Sequence, residues 1–99
     1  MKKRRLVLRS EARLELEQAV TWYEVQVPDL GRQFRAEVYR TFDNITARPE
    51  LYPKSHGTTR KAVLRRFPYL IFYLVEAQRI VVMAVFHAKR DLRDLAARV

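Results

Sequence analysis

The 99-residue chain has no cysteine, two glycines, four prolines and only 11 acidic side chains against 20 lysines and arginines. Without cysteine, neither a disulfide framework nor a thiolate metal site is available. With only Gly31 and Gly57, no glycine-rich loop can cradle a phosphate, so ATP-dependent chemistry, nucleotide-cofactor redox and a bound cofactor have no support. His56 has no second histidine or carboxylate cluster close to it in its loop, and no metal is expected. No apolar run approaches the roughly 18 residues that a membrane span needs, and nothing resembles a signal peptide. The expectation is a soluble, cytoplasmic protein with no membrane partner.

What is present suffices for one domain over residues 1–99, since dividing so short a chain would leave pieces too small to bury a core. Hydrophobic residues make up 48% of it, which argues against wholesale disorder. The net charge of +9 is uneven. Residues 1–9, with Lys2, Lys3, Arg4, Arg5 and Arg9, carry +5; residues 10–53 carry −3; residues 54–99 carry +7. Basic ends around a mixed-charge middle point to a surface that meets phosphates or an acidic partner.

Leu6-Val7-Leu8 is too brief for a helix and predicts a first strand. Ser10 offers an N-cap, and Leu16, Val20, Tyr23 and Val27, with Ala12 and Ala19, fall on one helical face. Pro28 stops that helix and Asp29 can cap a second, whose stripe is Leu30, Phe34, Val38, Phe42 and Ile45. Arg48 to Thr59, with Pro49, Pro53, Ser55 and Gly57, reads as a loop. Strands are then expected over Ala62–Arg66, Tyr69–Glu76 and Arg79–His87, and a short terminal helix over Leu92–Arg98. The order β-α-α-β-β-β implies an α+β fold: a two-helix hairpin packed on an antiparallel sheet of about four strands. Tyr69 and Tyr73 mark the more polar sheet face: looking outward they would stand with Arg66 around an open concavity, and otherwise they pack with only their ring edges wet.

His87-Ala88-Lys89-Arg90 leaves the last strand where side chains can converge on a ligand. A histidine that exchanges a proton near neutrality and an arginine that clamps a phosphate suit RNA cleavage by the 2′-hydroxyl. Equally, His87 can bond a backbone group at the strand end. Arg66 is a further candidate phosphate ligand. Arg65, its neighbour in a strand, would face the other way. Tyr69 and Tyr73 could stack on bases, and Lys89 and Arg65 could add charge to a target-binding surface.

Trp22-Tyr23-Glu24, Pro28-Asp29-Leu30-Gly31 with Phe34, Ile45-x-x-x-Pro49-x-x-Tyr52-Pro53, Arg66-Phe67-Pro68-Tyr69-x-Ile71-x-Tyr73 and Ala84-Val85-x-His87-x-x-Arg90 together resemble the RelE/ParE superfamily of type II toxins, in its plasmid-stabilisation branch. The resemblance spans about residues 5 to 95. It implies two helices against a curved antiparallel sheet and a growth-arresting toxin held inactive by a cognate antitoxin, through which alone it would reach operator DNA. It also implies one of two targets: DNA gyrase, as for ParE-like toxins, or mRNA on the ribosome, as for RelE-like toxins, which would make the chain a metal-independent endoribonuclease. Under that second activity His87, Arg66 and Arg90 are the catalytic candidates, and Lys89 and Arg90 match the basic pair after the last strand. Leu70 departs from the pattern, standing where many mRNA-cleaving and gyrase-directed members carry Arg. The alternative to a toxin is a non-catalytic nucleic-acid-binding module.

Overall fold

The computed structural model describes residues 4–98, so Lys2 and Lys3 of the basic arm lie outside the described residues. The elements run β1 (Arg5–Leu8), α1 (Ser10–Gln26), α2 (Leu30–Ala47), β2 (Lys54–His56), β3 (Thr59–Val63), β4 (Tyr69–Val75), β5 (Arg79–His87) and α3 (Arg93–Ala96). The architecture is α+β, with the helical hairpin against a sheet and a short C-terminal helix. The sheet has five strands in the order β1-β5-β4-β3-β2, and β1 runs parallel to β5. The extra strand is β2, inside the segment read as a loop. Its three residues fold back on β3 through Gly57, whose φ of 58° is the left-handed conformation that the turn requires.

The hairpin is tied at its corner. Glu24, near the end of α1, accepts the N–H groups of Asp29 (2.8 Å) and Gly31 (3.0 Å), so one carboxylate serves the otherwise unpaired start of α2. Asp29 occupies the N-cap position, but its carboxylate holds Arg32 at 2.6 and 3.0 Å rather than the helix backbone. Ser10 opens α1 as a helical residue, and the N-cap is Arg9. A Cβ on Gly31 would sit 2.4 Å from the Val20 carbonyl oxygen, so the helices cross too closely for any side chain there.

Two apolar layers result. Leu16, Tyr23, Phe34, Val38 and Ile45 pack on the helix-facing side of the sheet with Ile71, Tyr73, Ile80, Val82 and Val85. On the other side, Phe72, Val81, Met83, Ala84 and Phe86 are closed by Leu95 of α3, which is fully buried. The β5 side chains reach these layers because the strand bulges. Phe72 pairs with Ala84 and Tyr73 with Val82, leaving Met83 as the extra residue. Met83 and Ala84 consequently both face the α3 side, and Val85 and His87 return to the helical side.

This packing corrects the outward placement of Tyr73. The ring is fully buried and its hydroxyl donates to the Pro49 carbonyl at 2.7 Å, so it is unavailable for stacking on a base. Tyr69 also turns toward the helices, half-buried against Tyr23 and Phe34. The strand expected over Ala62–Arg66 begins at Thr59 and ends at Val63, which leaves Arg65 and Arg66 in a bend. Strand alternation therefore does not govern them.

Candidate functional site

The parallel strand β1 stops at Leu8, and its last bond to β5 is from the Arg9 N–H to the Val82 carbonyl. Beyond that point β5 continues for five residues with this edge open. Side chains replace the missing strand. Glu15 of α1, 9% exposed, accepts the Val85 N–H at 3.0 Å, and Arg98 donates to the Met83 carbonyl at 3.1 Å. The same carboxylate accepts from Arg98 Nη1 (3.0 Å) and Nη2 and from Arg90 Nη1 (2.9 Å). Both guanidiniums lie over the Phe86 ring, Arg90 at 4.3 Å and Arg98 at 4.9 Å. Arg9 fastens the end of the segment by donating to the Arg98 carbonyl at 2.7 Å. The bond to Glu15 raises the Arg98 pKa above its ordinary value.

Beside this cluster, Glu15, Ala19, Trp22, Tyr69, His87 and Arg90 surround a hollow of about 260 Å³. His87 stands edge-on to Tyr69 at 5.2 Å, and its Nδ1 accepts the Lys89 N–H at 3.1 Å. That bond puts the proton of the neutral ring on Nε2. Burial pushes the Tyr69 phenol up. Trp22 is 58% exposed at the rim, with Leu14 and Val25 exposed on the same helix.

The residues singled out from the sequence do not line one cavity. His87, Arg90 and Tyr69 share the hollow, whereas Arg65 and Arg66 line a separate cavity beside α2. There Glu37 Oε2 accepts both of their backbone N–H groups, at 2.7 and 3.2 Å, and the Arg66 guanidinium donates to Gln33 at 2.8 Å. Lys89 is exposed on the turn after β5. Leu70, standing where the resemblance expects Arg, packs with the cluster of Phe72, Phe86 and Leu95.

The carboxylates Glu15 and Glu37 were missed, although both carried a signal. Glu15 stands within the Ala12, Leu16, Ala19 stripe, and Glu37 within Phe34, Val38, Thr41. An acid at helical spacing inside an apolar stripe must be paired when it is buried.

Residues 6–92 match the family model described as the ParE toxin of type II toxin-antitoxin system, parDE. Among solved structures, a chain of the chromosomal ParDE toxin-antitoxin system from P. aeruginosa is similar, with a TM-score of 0.76 at 15% identity over 86% of this chain and 96% of that one. A chain of the RelBE2 toxin-antitoxin complex from Mycobacterium tuberculosis is similar with a TM-score of 0.59 at 20% identity, over 87% of this chain and 99% of that one. No curated protein matches the sequence. At these identities the solved structures carry the fold, and the family model, matched over most of the sequence, carries the membership: the chain belongs to the ParE toxin family of type II toxin-antitoxin systems.

Proposed function

We propose that the chain is the growth-arresting toxin of a two-protein pair, that an antitoxin holds it inactive, and that it acts on DNA gyrase by binding rather than on RNA by cleavage. The observation that carries this reading is the state of Arg90. RNA cleavage needs a cation free to take the charge that develops on the phosphate, and a group that accepts the 2′-hydroxyl proton. Arg90 donates instead to Glu15 at 2.9 Å and to Asp94 at 3.0 Å. His87 accepts a backbone N–H through Nδ1 and offers a donor at Nε2. The exposed Trp22 beside the hollow suits contact with a protein, since aromatic anchors dominate binding energy.

The test pairs two assays on the purified chain. Gyrase supercoiling should be inhibited with accumulation of cleavage complexes, and mRNA on translating ribosomes should stay intact. Ribosome-dependent cleavage that is lost in His87→Ala or Arg66→Ala, with gyrase unaffected, would overturn the proposal in favour of an endoribonuclease.

A further inference from the structure

A second cavity, of about 530 Å³, lies between α2 and the end of β3, remote in the fold from the Glu15 cluster. One wall is the α2 face bearing Glu37, Arg40 and Thr41, and the other is the segment from Val63 to Arg66. This wall is an open strand edge. β2 pairs with β3 only as far as Arg60, and the last bond on that side runs from the Lys61 N–H to the Pro53 carbonyl. The Leu64 N–H turns inward to the Tyr69 carbonyl, so the alternation of an antiparallel strand turns the Val63 N–H and C=O toward the open edge. The next outward group, the Arg65 N–H, is already taken by Glu37 Oε2.

Three chemical features converge on the slot. Arg40 of α2 and Arg65 have no carboxylate partner among the described residues, and neither has Arg66 beside them. Val63 and Leu51, 60% and 52% exposed, present aliphatic surface. Glu37, 6% exposed, has one oxygen, Oε1, that is buried with no donor. Its other oxygen, Oε2, holds the Arg65 and Arg66 N–H groups and so fixes this wall of the slot.

We propose that this slot seats an extended, acidic and aliphatic segment of the antitoxin. The segment pairs its main chain with Val63, sets carboxylates against Arg40 and Arg65, and covers Val63 and Leu51 with aliphatic side chains. A nucleic acid would use the guanidiniums alone; its phosphates would meet the Glu37 carboxylate, and the strand edge would stay unpaired. The identity of the segment rests on the toxin reading above, whereas the chemistry of the slot does not.

The probe is a short acetylated and amidated peptide of alternating glutamate and valine, titrated into the isotopically labelled chain and followed by amide chemical shifts. The largest shifts should fall on Val63 and Arg65. The surface variant Arg40→Glu/Arg65→Glu should weaken binding by about tenfold or more. Val63→Pro, which removes an N–H that the fold does not use, should weaken it similarly while far-ultraviolet circular dichroism stays unchanged. In cells, Val63→Pro should still arrest growth yet escape the co-expressed antitoxin. Shifts centred on Trp22, binding indifferent to the charge reversal, or tighter binding of oligothymidylate to the same amides would each overturn the proposal. The peptide titration does not involve gyrase, so a failed supercoiling assay and a failed slot are distinguishable.

Discussion

Replacing Glu15 tests the central claim about how the C-terminal segment is held. Its carboxylate takes the Val85 N–H, two bonds from Arg98 and one from Arg90, and it is 9% exposed. Glu15→Ala leaves the Arg98 guanidinium, only 12% exposed, without its counter-charge, and leaves a buried Val85 N–H without an acceptor. Removing one partner of a buried ion pair costs about 3–5 kcal/mol. Glu15→Gln keeps an oxygen for Val85 and the packing volume but loses the charge and the second acceptor oxygen that Arg90 and Arg98 share, so about 1.5–3 kcal/mol is expected. The arginines should differ: Arg98→Ala should cost nearly as much as Glu15→Ala, whereas Arg90, 37% exposed and also paired with Asp94, should cost about 1 kcal/mol or less. Urea unfolding followed by circular dichroism measures all four variants, and the Glu15/Arg98 double variant isolates the coupling. In thermal melts, each kcal/mol corresponds to about 4–8 °C for a domain of this size. A Glu15→Ala variant within about 0.5 kcal/mol of the parent, or an Arg90→Ala variant as unstable as Arg98→Ala, would refute the reasoning.

Gly31→Ala should destabilise by about 1–3 kcal/mol in the same urea assay, because its Cβ would sit 2.4 Å from the Val20 carbonyl oxygen; at an uncrowded helix position the sign would be opposite. Burial pushes the Tyr73 phenol up to about 12 and raises Tyr69 and Tyr23 as well. Unfolded phenols ionise near pH 10, so the folded state keeps protons that the unfolded chain loses. That contribution to stability is complete below about pH 10 and is lost as pH rises through about 12. Unfolding free energies measured across this window should fall together with the appearance of phenolate absorbance; a flat profile would contradict the burial of Tyr73. Trp22→Ala, at a 58% exposed position, should leave stability within about 0.5 kcal/mol yet reduce gyrase inhibition, and unaltered inhibition would move the contact elsewhere.

Local rules were enough for most of the elements. The apolar period of Leu16, Val20 and Tyr23, the break at Pro28 and the aliphatic run from Arg79 to His87 set both long helices and β5, because those signals need only neighbours in the chain. β2 escaped notice because three polar residues between Pro53 and Gly57 have no strand pattern of their own; they form a strand only where β3 offers an edge. The candidate site was legible as a list of side chains but not as a grouping. Arg66 and His87 sit close in pattern to Tyr69, yet they line different cavities.

Charge, size and the order of the elements other than β2 were determined by the sequence alone, since they depend on composition and on periodicities of two and 3.6 residues. The facing of the site was decided by tertiary structure. One extra residue at Met83 turns Val85 and His87 toward the helices, and the early end of β1 leaves an edge that Glu15 and Arg98 must complete. A bulge and an unpaired edge are relations between strands distant in the chain. For that reason Arg90, which the motif marks as a candidate for chemistry, is held in the folded molecule as part of an ion-paired clamp.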